Sequence, residues 1–92
     1  MAECILIVDD EPLNREMFAE ALRTWGYHPI VAQDGFDALL KIAEHSPGLV
    51  ISDLRMPRMA GFELLSVLAR RFPVLPVICI SAEYGASNWP PM

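Results

Sequence analysis

The chain has 92 residues, of which 53% are hydrophobic and 21% charged, a composition typical of one globular domain rather than of a disordered segment. Acidic residues outnumber basic ones by 12 to 7, which argues against direct binding to nucleic acid or to an anionic membrane, since both need a cationic face. No apolar run approaches the roughly 20 residues that span a bilayer, and the N-terminus lacks the basic start of a signal peptide, so we expect a cytoplasmic protein.

The first part of the chain predicts a strand, a helix and a second strand. Residues 4–9, CILIVD, are almost wholly apolar, as in a central strand covered on both faces. From Pro12 the apolar residues follow the period of an amphipathic helix, and Gly26 marks its end. Residues 27–32 read as a strand, but Pro29 cannot donate to a ladder in the centre of a sheet. We therefore expect the second strand at an edge.

The remaining chain repeats this alternation. A helix is predicted over residues 34–46, with Asp34 as its N-cap, and a buried strand over residues 48–53. A third helix is predicted over 61–72 and a fourth strand over 75–81. Strands that alternate with helices through short connections indicate a parallel sheet with helices on both faces.

Polar residues follow the strands at the end where such sheets bind ligands. Asp9 and Asp10 come after the first strand, Asp53 ends the third, and Ser81 follows the fourth. If the first and third strands are neighbours, three carboxylates converge, and their mutual repulsion calls for a cation. Mg²⁺ suits oxygen ligands, and an aspartate beside it can act as a nucleophile toward phosphorus. The Ser81 hydroxyl could donate a hydrogen bond to a phosphoryl oxygen.

Four segments closely resemble the receiver domains of two-component response regulators. They are ILIVDDEPLNR, DGFDAL, VISDLRMPRMAGFELL and PVICISA, which occur in the family's order and spacing within residues 4–82. The resemblance implies an α/β fold, a flavodoxin-like doubly wound parallel sheet with strand order 2-1-3-4.

The resemblance also implies roles for the polar residues. Asp53 would accept a phosphoryl group from the phosphohistidine of a sensor histidine kinase or phosphotransfer protein. Asp10 directly, and Asp9 through water, would hold Mg²⁺, with Asp53 itself and the main-chain carbonyl of Arg55 as further ligands. Ser81 would be the switch hydroxyl that turns toward the aspartyl phosphate.

The resemblance weakens toward the C-terminus. Family members continue with a helix, a fifth strand ending in Lys-Pro and a last helix, so we expect an incomplete, C-terminally truncated receiver domain over residues 1–82 and an irregular tail over 83–92. A fragment and a naturally short form both remain open. Lys41, the only lysine, belongs to the second helix and cannot replace the family's lysine. Arg55 and Arg58 are interpreted as solvated loop charges, with partial replacement of that lysine as the alternative.

The bare fourth strand motivates one further expectation, a homodimer formed through its exposed edge. The first functional hypothesis is a phospho-accepting module, Mg²⁺-dependent and not an enzyme beyond slow autophosphorylation from small donors and autodephosphorylation. The alternative is a pseudo-receiver that acts as a binding or dimerisation module without efficient phosphorylation. A small phosphohydrolase is disfavoured, because it would need a general acid where Arg55 stands.

Overall fold

The computed structural model describes residues 3–53 and 61–80, which form four strands and three helices in alternation. The elements are β1 (Cys4–Val8), α1 (Pro12–Thr24), β2 (His28–Ala32), α2 (Gly35–His45), β3 (Leu49–Asp53), α3 (Gly61–Arg71) and β4 (Val77–Ile80). All strand pairs are parallel, and the sheet order is β2-β1-β3-β4. The predicted fold class and strand order are confirmed. The predicted domain boundary at residues 82 and 83 lies outside the described residues.

The register places β1 at the centre of the sheet. Leu6 lies between Ile30 of β2 and Val50 of β3, and Val8 lies between Ala32 and Ser52. Strands paired on both sides and covered on both faces need apolar side chains throughout, which explains why β1 does not alternate with polar residues.

Two apolar cores lie on opposite faces of the sheet. Helices α2 and α3 cover one face, and α1 covers the other over β1. The larger core consists of the buried residues Leu6, Val8, Ala32, Ala38, Ile42, Val50, Leu64 and Leu68. The smaller core, under α1, consists of Ile5, Ile7, Ala19 and Leu22. With both faces of the sheet covered by apolar side chains, the carboxyl ends of the strands are left as the place where polar groups collect.

Local hydrogen bonds explain where the first two helices begin. Pro12 opens α1, and the Glu11 carboxylate caps it by accepting from the Leu13 N–H at 3.4 Å. In α2, as predicted, Asp34 is the N-cap, and its carboxylate accepts from the Asp37 N–H at 2.8 Å.

The two strands at the edges of the described sheet, β2 and β4, lie where the sequence predicts them, and both are slightly shorter than predicted. β2 lies at one edge, as its proline requires. β4 begins at Val77 rather than at residue 75, because the Leu75 N–H donates to the Phe72 carbonyl in the turn after α3 and Pro76 has no N–H to give. Within residues 3–53 and 61–80, no helix has the length and apolar character needed to span a membrane.

Candidate metal centre

Three carboxylates meet at the carboxyl edge of the sheet. Asp9, Asp10 and Asp53 each offer an oxygen, and these oxygens all lie within 4.8 Å of one another. The register explains the meeting, because Val8 pairs with Ser52 and the residue that follows each of them is an aspartate. Asp9 is 1% exposed and Asp53 4% exposed, whereas Asp10 is open to solvent. Asp10 is therefore the member that a ligand reaches most directly from water.

The environment of Asp9 makes its charge costly. Burial raises the pKa of Asp9 above its ordinary value, and the charges of Asp53 and Asp10 add to the rise. The Glu11 N–H, which donates to Asp9 Oδ1 at 2.9 Å, and a hydrogen bond from the Asn14 side chain oppose it without cancelling it. A cation at this edge would relieve the repulsion.

Both β2 and the first turn of α1 hold the main chain of Asp9. The Asp9 N–H donates to the Ala32 carbonyl of β2 at 3.1 Å. The Asp9 carbonyl accepts from the Arg15 guanidinium, Nη1, at 2.7 Å. Both main-chain groups of Asp9 thus have partners beyond the end of β1.

The donor set fits a hard divalent cation. Three carboxylate oxygens within 4.8 Å of one another supply only oxygen ligands, with no thiolate or imidazole in the group. Mg²⁺ uses one or two carboxylates and keeps several waters, and an exposed member such as Asp10 leaves room for them. A carboxylate held beside such a cation can attack phosphorus, because the cation neutralises the charge that develops on the transferred oxygens.

The structure brings together three of the five residues expected at this site. Asp9, Asp10 and Asp53 converge as predicted. Ser81 and Arg55 lie outside the described residues, as does Arg58, so their predicted contributions stay predictions.

The sequence interpretation missed two groups that contact Asp9, the side chains of Asn14 and Arg15. Their only signal in the sequence is their place in the first helical turn after a strand end. A guanidinium at that place reaches back to the end of β1 only for a suitable angle between α1 and β1, and residue spacing does not determine that angle.

Comparison with known proteins agrees with this geometry. The family model described as the response regulator receiver domain matches residues 5–88. The sensor histidine kinase RcsC of Salmonella typhimurium is 38% identical over 79 residues, which cover 86% of this chain and 8% of that protein. The response regulator RR06 of Streptococcus pneumoniae is 42% identical over 78 residues, which cover 85% of this chain and 36% of that protein. The chain thus spans only a minor part of these relatives.

A solved structure shows the same arrangement of strands and helices. The response regulator TrrA of Thermotoga maritima, in complex with Mg²⁺ and BeF, has a TM-score of 0.83 and 34% sequence identity, and the match covers 91% of this chain and 75% of that one. Receiver domains bind Mg²⁺ at an acidic pocket and are in general phosphoacceptors rather than enzymes. The match over residues 5–88, together with the sheet order and the three converging carboxylates, shows that the chain belongs to the response regulator receiver domains of two-component systems.

Proposed function

We propose that Asp53 accepts a phosphoryl group in an Mg²⁺-dependent reaction, with Asp9 and Asp10 as the residues that hold the metal. The observation that carries the proposal is the approach of the three carboxylate oxygens to within 4.8 Å in a chain of this family. Asp53 ends the inner strand β3, next to β1, so its carboxylate is fixed by the sheet rather than by a loop.

The proposed donor is the phosphohistidine of a sensor histidine kinase or of a phosphotransfer protein. A carboxylate oxygen of Asp53 forms a bond to phosphorus while the phosphorus–nitrogen bond breaks. The electron pair of that bond leaves with the imidazole, whose other ring nitrogen carries a proton. The product is an acyl phosphate on Asp53 and a neutral histidine on the donor. Bound Mg²⁺ would supply charge neutralisation on the phosphoryl oxygens. Ser81 is proposed to donate to one of those oxygens, and the Arg55 carbonyl to complete the metal ligands.

Two relatives support this assignment. The TrrA structure contains Mg²⁺ and BeF, and RcsC is a sensor histidine kinase by name. We infer that the present domain receives its phosphoryl group from a protein of that class and then loses it slowly to water, turning over no external substrate. The same group of acids would permit slow phosphorylation from a small donor.

The test is adduct formation in solution. Incubation with Mg²⁺ and acetyl phosphate should add one phosphoryl mass to the parent, and Asp53→Asn should abolish the addition. Glu44→Gln, an exposed carboxylate on α2, is the matched control and should be modified like the parent. Loss of the adduct in EDTA would show the metal requirement.

A folded parent that forms no adduct with acetyl phosphate and no complex with beryllofluoride would overturn the phosphoacceptor proposal. The domain would then be a pseudo-receiver, a module that acts by binding alone. Folding is verified in each sample by circular dichroism, so that absence of an adduct is not confused with loss of structure.

We further propose that two copies associate through β4. In the described part of the chain β4 ends the sheet order, and Ile78 on it is 50% exposed. A strand with an apolar side chain at a sheet edge is a template for pairing with another strand. Light scattering should show a mass that rises with concentration, and Ile78→Lys should lower it. A monomeric mass at every concentration would overturn this point.

A further inference from the structure

Arg15 holds the piece of main chain that carries two of the three carboxylates. Its guanidinium donates to the Asp9 carbonyl at 2.7 Å. That carbonyl belongs to the peptide unit between Asp9 and Asp10, which is planar from one Cα to the next. Fixing the carbonyl therefore fixes the plane from which both aspartates depart.

The Asp9–Asp10 unit needs such a partner because the strand has ended. β1 runs only to Val8, and on one side the Asp9 N–H still reaches the Ala32 carbonyl of β2. The Asp9 carbonyl is instead paired with a side chain from the first turn of α1. Helix α1 is positioned by its own core contacts through Ala19 and Leu22. Arg15 therefore links the position of the Asp9–Asp10 peptide to the packing of α1 on the sheet.

The side chain of Arg15 is partly shielded from water. Arg15 is half-buried and lines a cleft of about 230 Å³ between α1 and β2, which Val31 and Arg23 also line. Its acceptor is a main-chain carbonyl, so this hydrogen bond does not itself occupy a carboxylate oxygen of Asp9. A guanidinium suits this place because its several donors are held in a fixed plane.

We propose that Arg15 is a positioning residue for the acidic site: by holding the Asp9 carbonyl, it sets the relative placement of Asp9 and Asp10 and thereby the affinity for Mg²⁺. The inference rests on the proposed function, because it takes Mg²⁺ as the ligand of this site. Partners that orient metal ligands typically change metal affinity by about 10- to 100-fold when they are removed.

The charge of Arg15 makes the prediction sharp, because charge and position act in opposite directions. Removing a cation from the neighbourhood of three carboxylates would by itself tighten the binding of another cation. Removing a positioning group would weaken it. The weakening should also be greater for Mg²⁺, which demands near-octahedral geometry, than for Ca²⁺, which tolerates irregular sites.

The experiment compares the parent with Arg15→Met, Arg15→Lys and the matched control Arg23→Met. Arg23 lies on the same helix and lines the same cleft, but its side chain is 60% exposed and pairs with Glu20. Calorimetric titration should give Arg15→Met a Kd for Mg²⁺ about tenfold higher than the parent, with a smaller rise for Ca²⁺. Arg15→Lys, which keeps a donor, should recover part of the affinity, and Arg23→Met should match the parent.

A second readout needs no metal. In metal-free protein the Asp10 amide resonance should shift in Arg15→Met and stay in place in Arg23→Met, because that amide belongs to the peptide unit held by Arg15. An unmoved Asp10 amide, an unchanged Kd, or tighter binding of both metals in folded Arg15→Met would overturn the inference. If Arg15→Met does not fold, the ratio of Mg²⁺ to Ca²⁺ affinity in Arg15→Lys decides in the same sense.

The two proposals fail in different ways. A parent that does not bind Mg²⁺ at all overturns the proposed function together with the role of Arg15 in metal affinity. A parent that binds Mg²⁺ and is phosphorylated, beside an Arg15→Met that binds equally well, overturns the role of Arg15 alone.

Discussion

Asp9 is a carboxyl group with almost no exposure to water, close to two others of its kind. Its side chain accepts from the Glu11 N–H, and an asparagine at the same place could keep that bond through its own Oδ1. In the metal-free protein an ionised Asp9 therefore lowers the free energy of unfolding, whereas a neutral asparagine at this position does not. This separates what the residue contributes to folding from what it contributes to metal binding.

We expect Asp9→Asn to stabilise the metal-free protein at neutral pH by about 1 kcal/mol, because it removes a buried charge that two neighbouring carboxylates repel. The same variant should gain little stability from added Mg²⁺. Urea unfolding with and without Mg²⁺ measures both effects. A variant less stable than the parent in EDTA would contradict the expectation.

The pH dependence of the metal-free parent follows from the raised pKa of Asp9. Between the ordinary pKa of an aspartate and the raised value, the folded state binds more protons than the unfolded state, so the free energy of unfolding falls as pH rises through that interval. Below it, where Asp9 is protonated in both states, the contribution is fully present. The difference between parent and Asp9→Asn, measured by urea unfolding from acidic to neutral pH, should therefore widen with pH. A constant difference would rule this out.

At the scale of elements, the cap of α2 is the clearest local determinant. Asp34 is 4% exposed, and its carboxylate accepts from the Asp37 N–H at 2.8 Å. Asp34→Ala should lower the free energy of unfolding by about 1 kcal/mol, because an N–H at the helix start loses its partner. Asp34→Asn, which keeps an acceptor, is the control and should stay within a few tenths of a kcal/mol of the parent. Equal losses in the two variants would show that the cap is not the cause.

Most of the elements could be predicted because each has a local physical signal. The apolar run of β1 and the Pro12 start of α1 depend on few distant contacts. β4 begins two residues after its predicted start, because the sequence alone does not show that the Leu75 N–H donates to the Phe72 carbonyl. Strand bounds of this kind depend on where a preceding helix ends.

The acidic site divides in the same way. Asp9, Asp10 and Asp53 could be predicted because the ends of parallel strands share one edge of the sheet, whatever the details of packing. The hydrogen bond from Arg15 could not, because it depends on the angle between α1 and β1 and on the conformation of a long side chain. Strand order is a property of the pattern, whereas a side chain that reaches back across a loop is a property of the packed molecule.

For the whole molecule, metal binding should appear as stability. A ligand that binds only the folded state at a hundredfold excess over its Kd adds about 2.7 kcal/mol. For a domain of this size that corresponds to a rise in melting temperature of roughly 10 °C or more. Thermal unfolding in Mg²⁺ and in EDTA measures it, with Asp9→Asn as the control that should not respond. An unchanged melting temperature in the parent at saturating Mg²⁺ would contradict the linkage.

The larger core should tolerate little loss of volume. Leu68 is 1% exposed on α3, and Leu68→Ala should cost about 2 to 5 kcal/mol, since it removes buried methyl groups and leaves a cavity. Leu40→Ala, at a position 56% exposed on α2, is the matched control and should change stability by less than about 1 kcal/mol. Urea unfolding compares the two, and similar losses would argue against the core described above.

The proline in β2 has a consequence for the stoichiometry of any association. The His28 N–H points toward β1 and donates to the Glu3 carbonyl, so the N–H of the next residue would point outward from the sheet. That residue is Pro29, which has no N–H to offer a further strand. A border interrupted in this way is a poor acceptor of an added strand. If two copies associate as proposed, the sheet can therefore extend only at β4, and pairing of two β4 strands about a twofold axis occupies that edge in each copy. Such pairing closes at two copies and does not propagate into a filament.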